Sequence, residues 1–396
     1  MKKLVITFTT LVLAALLLPS CAPEETVPDE TEAALEGVTV TAVEIGQSLM
    51  YSPRCMNDTL FISLEHKFRD DLENQYISSY DLVTSEKKRL LEFDPASSRI
   101  DPPAVDDSCI VWTEADISGR ELGSIDWRTF NRDIYLYDMD TGETRRITDD
   151  EYVQAGAVIS GRWIVWLDSR HGTGELFPYP ALLDVYAYDR ETGEEKRITA
   201  AATAEGYGHL AISGDYLVWS DSRYADPEIQ NRPSNIADYN NEIYLYNLST
   251  GEERRISGYS GNDHRPAVQG SRIAWLRQLD YRKAEIVVYD LDTGTETVVS
   301  NSGYAAYTPS LYEDLVVWSD AGISEGNTCN DVVMNGVSGA AEIYRYDFSS
   351  GRETQLVPSL AGGRQVLLDP VIHGDYIVYS HSRMIGPIIY MMKPDD

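Results

Sequence analysis

Along residues 133–148, DIYLYDMDTGETRRIT, apolar and polar side chains alternate up to a glycine and resume beyond it. The first half has the period and the Tyr- and Ile-rich composition of a β-strand. The second half is a shorter strand. Between them stands D-x-x-[TS]-G, where Asp favours a turn through its own side chain and Gly supplies a positive φ. The segment predicts a β-hairpin. It recurs as DVYAYDRETGEEKRIT at 184–199 and EIYLYNLSTGEERRIS at 242–257. Blurred copies stand at 285–300, EIVVYDLDTGTETVVS, and at 342–357, EIYRYDFSSGRETQLV.

A second pattern precedes each hairpin. It reads PAVDDSCIVW at 103–112, AVISGRWIVW at 157–166 and LAISGDYLVW at 210–219. PAVQGSRIAW at 266–275, PSLYEDLVVW at 309–318 and PVIHGDYIVY at 370–379 follow it, and PRCMNDTLFI at 53–62 fits the frame without its aromatic. Each is strand, tight turn, strand. The last place holds Ile62, Trp112, Trp166, Trp219, Trp275, Trp318 and Tyr379, and burial between neighbouring units is expected for it. The unit is thus four antiparallel strands, a to d, and it occurs seven times. Such a sheet cannot bury both faces alone, so it stacks on its neighbours. Radial stacking predicts an all-β fold, a seven-bladed β-propeller of four-stranded antiparallel blades. The seventh unit ends after three strands, whereas residues 38–43, VTVTAV, alternate with no blade of their own. That N-terminal strand can complete the seventh blade, closing the ring and covering an exposed edge. The alternative is six blades and an irregular first unit, because residues 53–93 fit least well.

The N-terminus changes the picture of location. MKK and the apolar run that ends at LPSC, residues 18–21, read as a signal peptide over residues 1–20. The four residues resemble a lipobox, which implies a lipid anchor on Cys21. Residues 21–37 are acidic and nearly free of large apolar side chains, the composition of a tether. Residues 38–396 form the propeller. A cell-envelope location is expected, with membrane attachment through the lipid. The net charge is −31, which argues against nucleic acid as a partner. Beyond Cys21, Cys55, Cys109 and Cys329 allow at most one disulfide, whose pairing the sequence leaves open.

WLDSR at 166–170 and WSDSR at 219–223, each leading into a Y-x-Y-[DN]-x-x-TGE hairpin, resemble the repeat of TolB-type propellers. The resemblance runs through residues 53–392 and implies an envelope-associated protein that binds other macromolecules. Such proteins carry an N-terminal α/β domain before the propeller, and no counterpart of it is expected here. Oligogalacturonate lyases are also seven-bladed propellers, and they bind a metal through several His at the channel mouth. That resemblance implies a carbohydrate-acting alternative.

In an antiparallel meander the a–b and c–d turns share one face, and the b–c and d–a connections share the other. The turns are short and uniform, whereas the b–c loops, about 113–132, 167–183, 220–241, 276–284 and 319–341, are long and dissimilar. Binding residues gather on variable loops over a rigid frame. Just before the strand-a slot, in the d–a connections, stand Tyr51, Asp101, His209, His264, Arg265, Tyr307 and Asp369. These seven form the candidate binding set at the channel mouth, suited to a polar glycan or a protein segment. Asp168, Arg170, Asp221 and Arg223 are expected to form surface ion pairs or loop clamps of small worth. No G-x-S-x-G or H-E-x-x-H occurs, so no catalytic residue, metal ligand or cofactor is assigned. A monomeric, non-catalytic binding scaffold is the expectation.

Overall fold

The computed structural model describes residues 38–43, 49–55, 60–66, 74–119, 131–171, 183–199, 210–221, 223, 241–258, 262–279, 283–300, 309–322, 340–357, 366–383 and 386–394. Strand β1 is Val38–Val43. The first sheet orders β2 (Leu49–Cys55), β3 (Leu60–His66), β4 (Gln75–Asp81) and β5 (Lys87–Phe93). The second holds β6 (Ser98–Ile100), β7 (Ala104–Asp106), β8 (Cys109–Asp116), β9 (Arg132–Asp138) and β10 (Thr144–Arg146), with β6 and β7 both paired to β8. Pro102 and Pro103 separate those two short strands, because neither can donate to a ladder. The third sheet is β11 (Gln154–Ser160), β12 (Trp163–Asp168), β13 (Asp184–Asp189) and β14 (Glu195–Arg197). The fourth is β15 (Ala211–Ser213), β16 (Tyr216–Asp221), β17 (Glu242–Asn247) and β18 (Glu253–Arg255). The fifth is β19 (Asn262–Gln269), β20 (Arg272–Gln278), β21 (Ala284–Asp290) and β22 (Thr295–Val298). The sixth is β23 (Ser310–Tyr312), β24 (Leu315–Gly322), β25 (Ala340–Asp347) and β26 (Arg352–Val357). The last is β27 (Val366–His373), β28 (Tyr376–Arg383) and β29 (Gly386–Pro394), with β1 as its fourth strand. In that ladder Val38 lies opposite Pro394 and Val43 opposite Ile389. Every pairing is antiparallel within its sheet, and the irregular residues 53–93 do complete a four-stranded sheet.

The sheets pack in sequence. The inner strands β7, β11, β15, β19, β23 and β27 each touch the next, and β2 touches β7 on one side and β27, β28 and β29 on the other. The aromatic slot explains this stacking. Trp166 packs with Val111 and Leu136 of the second sheet, and Trp219 with Val165 and Val185 of the third. Trp275 meets Val218 and Leu245, Trp318 meets Leu276 and Ile286, and Tyr379 meets Val317 and Ile343. Each large ring therefore reaches back onto the preceding sheet, and all six aromatic slots are buried. The rings of Trp112, Trp166, Trp219 and Trp318 also stack on a Tyr of the paired third strand at 5.6–6.1 Å between centroids.

The repeated hairpin now has a physical reason. Asp138, Asp189, Asn247, Asp290 and Asp347 each accept, through Oδ1, the N–H groups two and three residues on. The following glycines turn at φ between 66° and 76°, the left-handed region that favours Gly. At the strand ends, Arg146 pairs with Asp133, Arg197 with Asp184, and Arg255 with Glu242. The closing hydroxyls of Thr148, Thr199, Ser257 and Ser300 accept the buried N–H of Ile134, Val185, Ile243 and Ile286. These N–H groups lie beyond the short outer ladder, and a buried N–H needs a partner. Four of the five copies solve this hydrogen-bond problem with a hydroxyl, whereas the sixth sheet's copy ends in Val357, which lies opposite Ile343 in the ladder.

Candidate functional site

The two ends of the inner strands are built differently. At the a–b turn end, a side chain of one sheet accepts a backbone N–H from the next. Asp106 takes Gly161, Ser160 takes Gly214 at 2.9 Å, Ser213 takes Gly270 at 3.1 Å and Gln269 takes Glu313 at 3.0 Å. Ser310 takes Ile372 in the same direction at 3.1 Å. The turn face is thus joined hand to hand from the second sheet to the last.

The other half of the inner strands carries bulges. The register slips between Tyr51 and Arg54, Ala155 and Val158, His264 and Ala267, and Leu368 and Val371. In the third, fifth and last sheets the two unpaired residues lie opposite Trp166, Trp275 and Tyr379. A bulge bends its strand and re-aims a side chain. This corrects the expectation that the candidate residues stand in connections. Tyr51, His264, Arg265 and Asp369 belong to β2, β19 and β27, at or beside the bulges. Asp101 lies between β6 and β7, where its N–H still reaches Thr113 O at 3.0 Å. His209 and Tyr307 lie outside the described residues, as do Cys21 and Cys329.

Two of these side chains have a defined setting. Arg265 sits at φ 54°, strained for a residue with a Cβ, and makes no hydrogen bond or ion pair with the described residues. The corresponding turn in β11 is made by Gly156 at φ 61°. Asp101 is walled in, yet its side chain keeps 38% of its surface open and pairs with Arg132 at 2.6 Å. Enclosure pushes its carboxyl above the usual range, and the Arg132 guanidinium draws it partly back. Beside Arg265, His264 is buried, and its neighbour Asp263 is fully buried against Arg277 at 2.9 Å. Arg277 also reaches Glu296 at 2.7 Å. Burial raises the Asp263 carboxyl, and Arg277 opposes that. Arg132 and Arg277 were not in the candidate set. Their only sequence signal is the place two after the aromatic, or the start of the third strand.

The W-x-D-x-R segments need a second correction. Asp168 is 0% exposed and Asp221 is 1% exposed, so these are not surface pairs. Asp168 accepts Trp166 Nε1 at 2.9 Å, and Arg170 Nη2 at 2.7 Å. Asp221 accepts Trp219 Nε1 at 3.2 Å and Arg223 Nη2 at 2.6 Å. Arg170 then lies over Tyr186 and pairs with Glu195, while Arg223 lies over Tyr244 and pairs with Glu253. The aromatic shields the carboxylate, and the Arg binds three strands together. Their task is architectural.

Among the described residues, no three His, Cys, Asp or Glu side chains gather as a metal site. Cys109 is a free, buried thiol whose pKa burial pushes up.

No protein-family model matches this chain, and no curated protein matches it. Solved structures do. An oligogalacturonate lyase in complex with manganese aligns at TM-score 0.60 and 15% identity, over 92% of this chain and 95% of that one. The β-propeller domain of the Trilobed protease from Pyrococcus furiosus aligns at TM-score 0.57 and 13% identity, over 87% and 93%. TolB from Acinetobacter baumannii aligns at TM-score 0.46 and 16% identity, over 77% of this chain, which spans 65% of that protein's length. At such identities the likeness speaks for fold. The chain has the β-propeller fold.

Proposed function

We propose that this chain is a non-catalytic, envelope-anchored propeller that binds a polar partner, protein or glycan, at the bulged end of its inner strands. The lipid on Cys21 holds it to the membrane, and residues 22–37 serve as the tether. Seven blades form the body, and β1 closes the ring. The β1–β29 ladder and the packing of β2 on the last sheet support that closure. Deleting residues 22–37 should leave the melting temperature unchanged, and deleting residues 22–43 should lower it sharply by opening an edge. Equal melting of the two deletions would remove the seven-blade reading.

One observation carries the binding reading. Repeated polar residues are consumed by repeated bonds, whereas Arg265 occupies a strained backbone site with no partner among the described residues. Strain kept at an unrepeated cation is more readily understood as serving a ligand than as serving the fold. Arg265→Gly keeps the backbone shape and removes the cation. Profiling of the purified protein on glycan and acidic-peptide arrays should give wild-type binding that this variant loses, with no loss of melting temperature. Identical array profiles for the two proteins would overturn the reading.

The lyase-like fold supports a second reading, action on an acidic glycan, because a cation at the mouth would pair with a uronate carboxylate. Incubation with oligogalacturonate and manganese separates the two. Formation of unsaturated product, lost in Arg265→Gly, would replace the non-catalytic reading.

A further inference from the structure

The geometry points to a second site, on the opposite face, where a cleft between the second and third sheets binds a short peptide through its carboxylate. At other interfaces the hairpin residue after the turn Asp or Asn is apolar and packs back as a plug. Leu248 packs with Trp163, Leu291 with Tyr216, and Phe348 lies against Arg272 at 4.7 Å. Met139 likewise joins the cluster between the first and second sheets. Only the third sheet's hairpin, among these five, puts a charged residue there, Arg190. The facing place, filled by Trp163, Tyr216 and Arg272 elsewhere, is held by the small Cys109. Both halves of the plug are changed at one interface.

The result is a cleft of about 590 Å³ lined by Leu136, Arg145, Gly161 and Arg190, with Asp138, Glu143 and Glu191 among its acidic walls. That volume suits a small ligand. Arg190 donates to Cys109 Sγ at 3.0 Å and to Gly161 O at 3.0 Å. Sulfur is a weak acceptor, so the guanidinium is held in place without a strong anionic bond. Arg145 lies over the Tyr188 ring at 5.6 Å and makes no ion pair with the described residues. Glu191 is already paired with Arg162, and Asp138 Oδ1 is engaged by its turn. Arg190 also feels the Asp138 and Asp106 carboxyls without a salt bridge to either, so N–H groups of two guanidiniums remain for a carboxylate, the group they recognise best. Glu143 and the free oxygen of Asp138 suit an ammonium or amide N–H. A cleft with both signs fits a peptide terminus or free amino acid better than a simple anion.

The test uses trialanine, N-acetyl-trialanine and trialaninamide, titrated onto the full mature chain by isothermal calorimetry. The two forms with a free carboxylate should bind, and trialaninamide should not. Arg190→Leu restores the plug and should abolish binding with the melting temperature kept or raised. Arg145→Gln changes an exposed side chain and should weaken binding about tenfold or more, the scale of one charge-assisted hydrogen bond. Arg265→Gly should bind trialanine normally, which separates this site from the mouth. Failure of wild type to bind either carboxylate form, equal binding of the amide, or undiminished binding by Arg190→Leu would each overturn the proposal.

Discussion

At the turn end of the inner strands, Ser160 and Ser213 reach the next sheet's backbone, and the chain spends its polar residues on itself. At the bulged end, Arg265 sits at a strained φ with no partner among the described residues, and Asp101 keeps a third of its surface open. The same strands serve both ends. The difference teaches that repetition marks residues consumed by architecture, and that departures from the repeat leave polar groups outside those bonds, where the proposed ligand would bind. The cleft at Arg190 follows the same rule on the architectural face, where one broken repeat opens a space.

The largest effect is expected at the aromatic slot, which serves neither end. Trp219 is buried against the third sheet, stacks on Tyr244 and donates to Asp221. Trp219→Ala should cost about 3–5 kcal/mol in chemical denaturation. A loss under about 1 kcal/mol would mean that the slot does not join the sheets.

A smaller effect tests the turn end. Ser213→Ala removes the acceptor for Gly270 N–H, an exposed bond, and should cost about 0.5–1.5 kcal/mol without altering ligand binding at the mouth. Lost binding with full stability would invert the roles given to the two ends.

The smallest effect concerns the hairpin turns. The N–H of Thr141 holds the Asp138 carboxyl below its ordinary value, and the N–H of Thr293 does the same for Asp290. A depressed folded pKa stabilises the native state above the unfolded value, near 3.8, and that stability is lost as pH falls through the folded value. Asn247 fills this place naturally in the fourth sheet. Replacing Asp138 and Asp290 together by Asn should leave melting at pH 7 unchanged and flatten the loss of stability below about pH 4. An unchanged acid slope would show that these turns do not contribute to it.

Much of the fold is legible in the sequence because its signals are local. Alternation in IYLYD, the turn at DMDTG and the fixed step to Trp166 or Trp219 depend on neighbours within a few residues. The strand at 38–43 could be matched to the last unit by counting strands, and the ladder from Val38 to Val43 bears out that pairing. The candidate mouth was legible as positions and not as geometry. A register slip such as that between His264 and Ala267 depends on what the facing strand presents, here Trp275, and alternation carries no trace of it.

Burial divided the two levels again. Asp168 and Arg170 read as a surface pair because charged residues near a loop ordinarily meet water. Stacking against the preceding sheet, with Trp166 and Tyr186 alongside, removed the water and made the pair internal. The sequence by itself determined the repeat, the hairpin chemistry and the apolar slots, since each follows from contacts within one unit. Tertiary structure alone decided which polar groups are consumed between units and which remain. That depends on the distance from one sheet to the next, a quantity no single repeat contains.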